Sequence, residues 1–197
     1  MSSASANDDV PVPEPPRRVD ARRNFEAIVC AARGAFARDG VDASIEDVAR
    51  AAGVGSATLY RHFPTRDDLI LAALSQNVVS SFHRGLELLD ADDPFAALRE
   101  FLIAVIDRSS TYAGLPTSLL DAASREHSRL GITCTRMQDL NARLLERAQS
   151  AGAVRADLTA QELFDLATGI AWTVSRNRSP ETGPRLLDLA LTGLTGR

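Results

Sequence analysis

The chain has 197 residues, 45% of them apolar, and a net charge of −4. That apolar share is enough for a packed core, while the acidic balance excludes a generally basic nucleic-acid coat. No apolar run approaches the ~18–20 residues of a membrane span, and two cysteines are too few for a disulfide framework.

Strand signals are poor, and Ala, Leu, Arg and Glu are abundant, so the chain is expected to be all-α. Residues 1–18, rich in Ser, Asp and Pro, are expected to form a disordered tail. They lack the basic-then-apolar order of a secretory signal, which leaves a cytoplasmic location as the expectation. Arg17, Arg18, Arg22 and Arg23 follow, either as a solvated helix start or as an arm beside DNA. Phe25, Ile28, Val29, Ala32 and Phe36 make one apolar stripe, predicting a helix over 20–39 that Gly40 stops.

Ser44 to Arg66 is the most informative stretch. Ser44 and Asp47 form a capping-box-like pair that opens a short helix, and Gly53 ends it. Ser56 opens a second, stopped by Pro64. Two short helices with a glycine-bearing turn follow the helix-turn-helix plan. On the second helix Leu59 and Phe63 face the core, while Ser56, Thr58, Arg61 and His62 form an acid-free polar face. Arg17 to Arg66 carries nine Arg against six acids, so this segment is mildly basic on an acidic chain. The predicted domains are therefore the tail at 1–18, a DNA-binding head at 19–66 and a helical body at 67–197.

In the body, Thr65 caps a long helix to about Leu89 that ties head to body. Asp90, Asp92 and Asp93 have the composition of a metal site, but Asp93 as N-cap with Pro94 at N1 explains them more simply. Further helices are predicted to about Ser110, from Thr117 to about Ser128, and from Thr133 to Ala151, with Gly131 separating the last two. Thr159 and Glu162 form a capping box for a helix to about Arg178. A last helix covers 185 to about 194. These final two are apolar on more than one face, as expected for a four-helix interface in a symmetric dimer (about 160–195) or for closure of the monomer's own core. Cys30 and Cys134 are expected to be small buried hydrophobes.

The motifs Ser44-Ile-Glu-Asp-Val-Ala, Ala52-Gly-Val, Thr58-Leu-Tyr-Arg-His-Phe and Arg66-Asp-Asp-Leu resemble the TetR (tetracycline repressor) family of bacterial transcriptional regulators, over about residues 21–75. Ala57, Gly55 and Arg66 depart from the residues common there: Gly, Ser and Lys. The resemblance implies an N-terminal three-helix helix-turn-helix domain and a C-terminal helical bundle for ligand binding and dimerisation. By position, Ser56, Ala57, Thr58 and Arg61 would face the major groove. Ser44, Tyr60, His62 and Arg66 would hold phosphates, although His62 has a packing alternative at the helix end. Arg61 is the best base reader on chemical grounds, since guanidinium bonds guanine O6 and N7 together.

The resemblance also implies a homodimer on a partly palindromic double-stranded DNA operator, and a small apolar or aromatic ligand whose binding releases DNA. Pocket candidates are Phe82, Leu86, Phe101, Val105, Leu120, Met137, Leu140, Phe164 and Trp172, with Arg108, Tyr112, Asp121 and His127 as polar partners. No cofactor or metal is expected. Glu126-His127 lacks the second His of a zinc-protease helix, and no glycine-rich phosphate loop is present, so an enzyme is disfavoured. A constitutive DNA-binding module without ligand is the nearer rival.

Overall fold

The computed structural model describes residues 10–123, 127–177 and 181–194. Among them are nine helices and no strand: α1 (Val19–Asp39), α2 (Ile45–Ala51), α3 (Ser56–His62), α4 (Arg66–Leu88), α5 (Pro94–Ser109), α6 (Leu115–Ala123), α7 (Arg129–Ser150), α8 (Ala160–Asn177) and α9 (Thr182–Leu194). None is long and apolar enough to cross a membrane.

The ends of these helices follow from their caps. Ser44 accepts from the Asp47 amide at 3.2 Å. After α2, the Gly53 and Val54 amides bond back to Arg50 and Ala49 with Gly53 at φ 69°, a Schellman stop that a left-handed residue makes possible. Thr65 and Asp68 cap α4 reciprocally. Asp93 accepts from the Phe95 and Ala96 amides, so this carboxylate is a helix cap. Thr159 and Glu162 form the predicted box.

Three expectations are corrected. The tail does not extend to residue 18: Val10 is buried in the core and Val12 packs against it, because the valines flanking Pro11 find a surface to cover. Residues 1–9 of that expectation lie outside the described residues. Gly131 does not separate two helices. It sits inside the first turn of α7, where its amide donates to the Ser128 hydroxyl at 2.9 Å. The last helix begins at Thr182, before the predicted 185.

The first three helices pack around Phe25, Ile28, Phe36, Val48, Leu59 and Phe63, all buried. The body is built from α4, α5 and α7 in mutual contact, with α8 laid on α5 and α7. An Arg99–Asp188 pair, bidentate at 2.6 and 2.8 Å, ties α5 to α9. Two braces join head to body. Arg33 Nε on α1 donates to the Ala73 carbonyl on α4 at 2.9 Å. The loop after α5 meets the loop after α1, where Val41 donates to the Ala113 carbonyl at 2.9 Å and Tyr112 packs edge-on against Phe36 with centroids 5.7 Å apart.

Candidate nucleic-acid interface and ligand cavity

The α3 helix is two turns long and has no side-chain N-cap. Its position is set by Leu59 and Phe63, which are 1% and 0% exposed. With these two anchored, helical periodicity turns Ser56, Ala57, Tyr60 and Arg61 outward. All four are exposed, and Thr58 is half-buried beside them. Tyr60 is 47% exposed, although it is one of the largest side chains of the head. Ser44 is exposed at the start of α2. The outward face thus carries hydroxyls and a guanidinium, the groups that bond phosphate oxygens and base edges.

Two residues expected to hold phosphates do other work. His62 packs its ring against Phe25, edge-on at 6.2 Å, and its Nε2 is enclosed without a partner among the described residues. Burial, with the neighbouring Arg61 charge, lowers its pKa below the usual 6.5, so near neutral pH it is an uncharged packing group. Arg66 Nη1 donates to the carbonyls of Val41 and Ala43 at 2.6 and 2.8 Å. Its charge serves as a brace between α4 and the loop entering α2. The reason is local: that loop presents carbonyls with no helical partners, and the first turn of α4 lies beside them.

In the body, a cavity lies between α4, α5, α6, α7 and α8. Of the predicted pocket residues, Phe101, Val105, Arg108, Met137 and Phe164 line it. Phe82 and Leu140 are buried but lie outside the lining, and Leu86 is half-buried outside it. Tyr112 is buried at the head–body joint instead. Trp172 is 49% exposed on the outer side of α8 with Arg176 5.0 Å above its ring, because the inner stripe of α8 is Leu163, Ala167, Ile170, Ala171 and Val174. Asp121 and His127 are exposed. The side chain of Leu120 lies outside the described residues.

Sequence reasoning missed Leu74 and Val78 on α4, Ser109 on α5, Leu119 on α6, and Thr133, Cys134 and Asn141 on α7. Thr133, Met137 and Asn141 are spaced by four, so a polar-edged helical stripe was present in the sequence. The free volume is about 40 Å³. By the same measure one water needs about 10–15 Å³, so the cavity holds a few waters and a larger guest must spread its walls. Cys134 is buried there as expected, whereas Cys30 is exposed on α1.

A short helix with an outward polar face, held by a glycine turn against a helical body, is the helix-turn-helix arrangement of a DNA-binding protein. Residues 28–73 match the model for bacterial regulatory proteins of the tetR family. Residues 93–196 match the model for the C-terminal domain of SbtR-like transcriptional regulators. A TetR transcriptional regulator from Streptomyces coelicolor is 35% identical, with 87% of this chain and 98% of that chain covered and a TM-score of 0.58. The HTH-type transcriptional repressor KstR2 of Rhodococcus jostii (strain RHA1) is 26% identical over 161 residues, 72% of each chain. The fold is shared with the ketosteroid transcriptional regulator KstR2 of Mycobacterium tuberculosis, at 21% identity, 93% and 100% coverage and a TM-score of 0.63. The chain belongs to the TetR family of bacterial transcriptional regulators. It is a DNA-binding transcriptional regulator.

Proposed function

We propose that the protein is a ligand-released repressor that binds a partly palindromic operator as a dimer. In this reading Ser56, Ala57, Thr58 and Arg61 meet the major groove, and Ser44 and Tyr60 hold the flanking phosphates. A small apolar or aromatic ligand enters the α4–α8 cavity. The observation that carries the reading is the continuity between the two. Leu74 and Val78 of the cavity wall belong to the helix whose first residue, Arg66, braces the head. Because the free volume is small, a guest has to displace this wall, which gives it different affinities for the two arrangements of the body. That difference is what shifts a population and changes DNA affinity.

The small volume also favours the second reading, a regulator without ligand. Both readings share the DNA interface. Selection of bound fragments from genomic DNA, followed by footprinting, tests it directly. Replacing Tyr60 and Arg61 together by Ala is expected to abolish protection at concentrations that saturate the unaltered protein, with helix content unchanged. Affinity should fall steeply with salt, since phosphate contacts release counterions. Protection retained by the double variant, or a flat salt dependence, would overturn the interface. A screen for small molecules that release the selected fragment then separates the two readings.

A further inference from the structure

The cavity is apolar except at a few points, and those points are not alike. On α5, Arg108 lines it, and Nη1 of its guanidinium is enclosed with no hydrogen-bond partner among the described residues. Among the described residues that line the cavity, none carries a carboxylate. The ionisable neighbour that acts on Arg108 is the Cys134 thiol, a group ordinarily neutral near pH 7. Burial pulls the guanidinium pKa down to about 10, which leaves it charged at neutral pH. A buried cation without a counter-ion is costly, and structures that keep one supply an anion to it.

On α7, Asn141 lines the same cavity and is 3% exposed. Its Nδ2 donates to the Ala160 carbonyl at 3.3 Å, which fixes the amide orientation. Its Oδ1 is then left inside as an acceptor without a donor among the described residues. Arg108 offers only donors, whereas Asn141 offers an acceptor. The two unmet groups sit on different helices, α5 and α7, of the same cavity.

We propose that the cavity ligand is an amphipathic hydroxy acid: a carboxylate paired with Arg108, an apolar body along Met137, and a distal hydroxyl that donates to Asn141 Oδ1. The proposal rests on the reading of this cavity as a ligand site and names its ligand class. The cation selects against neutral and cationic guests, and the acceptor selects among acids for those with a distal donor. A monoanionic guest also neutralises the buried charge of Arg108, so binding stabilises the fold as well as filling the space.

The test uses direct binding to the full-length chain, without DNA. Calorimetry is carried out with octanoate, 8-hydroxyoctanoate, octan-1-ol and octylammonium. Octanoate is expected to bind at least about tenfold tighter than octan-1-ol, in line with the strength of hydrogen bonds to charged groups. The hydroxy acid should bind tighter still, and octylammonium not measurably. Arg108→Met is expected to raise the melting temperature of the ligand-free protein and to bring octanoate and octan-1-ol within about threefold of each other. Asn141→Leu should erase the advantage of the hydroxy acid while keeping that of the acid over the alcohol. Should Asn141→Leu fail to fold, the comparison of the two acids on the unaltered protein and the Arg108→Met result still decide. Equal affinity for acid and alcohol, an acid preference that survives Arg108→Met, no binding of any probe at millimolar concentration, or no gain from the distal hydroxyl would each overturn the proposal. Failure of the regulator reading would appear separately, as absence of operator binding.

Discussion

Arg61 and His62 are neighbours on one short helix, yet their surroundings give them opposite chemistry. Arg61 is exposed, and the proposed reading has its guanidinium meet a base edge. His62 turns inward to Phe25, where both burial and the Arg61 charge disfavour protonation. The consequence for stability has a definite sign. With a folded-state pKa below 6.5, the unfolded chain takes up the proton first as pH falls. The contribution of His62 is therefore complete above about pH 6.5 and declines as the pH drops through that value toward the folded-state pKa. Thermal melts from about pH 7.5 to 5.5 should show a smaller loss of melting temperature for His62→Gln than for the unaltered protein. Parallel curves would mean that the imidazole is not enclosed in solution. Arg66 differs again from Arg61: its Nη1 donates to two backbone carbonyls within the protein.

At the level of elements, the head sets two seven-residue helices, α2 and α3, against the longer α1. Isolated helices of two turns are unstable in water, so α3 depends on what holds its ends and its inner face. Leu59 and Phe63 hold the face, and Arg66 holds the entry to α2 through Val41 and Ala43. Arg66→Leu is expected to cost about 1.5–3 kcal/mol, the range for hydrogen bonds to a charged group whose partners are left unmet. Arg66→Lys should recover part of that loss. Urea unfolding measures both, and an Arg66→Leu variant as stable as the parent would show that the brace is dispensable. What could be read beforehand follows the same division. Caps and stops act over three or four residues, so Ser44, Gly53, Asp93 and the Thr159–Glu162 box were legible in the sequence. Arg66 was misjudged because its acceptors lie more than twenty residues away, and no local pattern encodes them. Gly131 misled because a glycine tolerated in a first turn resembles one that ends a helix. Arg108 was legible only as a polar residue near an apolar stripe; that its Nη1 is left without a partner among the described residues depends on the other helices around the cavity. Trp172 was named as a pocket candidate on a helix apolar over more than one stripe, yet the rotation of α8 about its axis is set by Leu163, Ala167 and Val174.

The whole molecule links three levels through few contacts. Ser109 of the cavity wall is three residues before Tyr112, which rests on Phe36 of the head, and the next residue, Ala113, accepts from Val41. Val41 in turn accepts from Arg66. A displaced wall thus has a packed route to the reading helix, on a physical path rather than a statistical one. Movement of one head matters most when a second is fixed to it, because a partly palindromic operator rewards the correct spacing of two reading helices. The proposed dimer supplies that constraint through α8 and α9. Their inner stripes close the body's own core, with Leu163, Ala167, Leu187 and Leu191 buried, while Trp172 and Leu189 stay 49% and 64% exposed. Single exposed apolar residues are ordinary, so the test is whether these two act together. Leu189→Arg and Trp172→Arg introduce a charge without touching the buried stripe, and each should keep full helix content. At micromolar concentration sedimentation should show the parent as a dimer and both variants shifted to monomer. Operator affinity should drop by more than about tenfold, because the second half-site no longer benefits from effective concentration. A monomeric parent, or variants that remain dimeric with unchanged DNA affinity, would move the interface away from α8 and α9 and leave the spacing of the heads to some other surface.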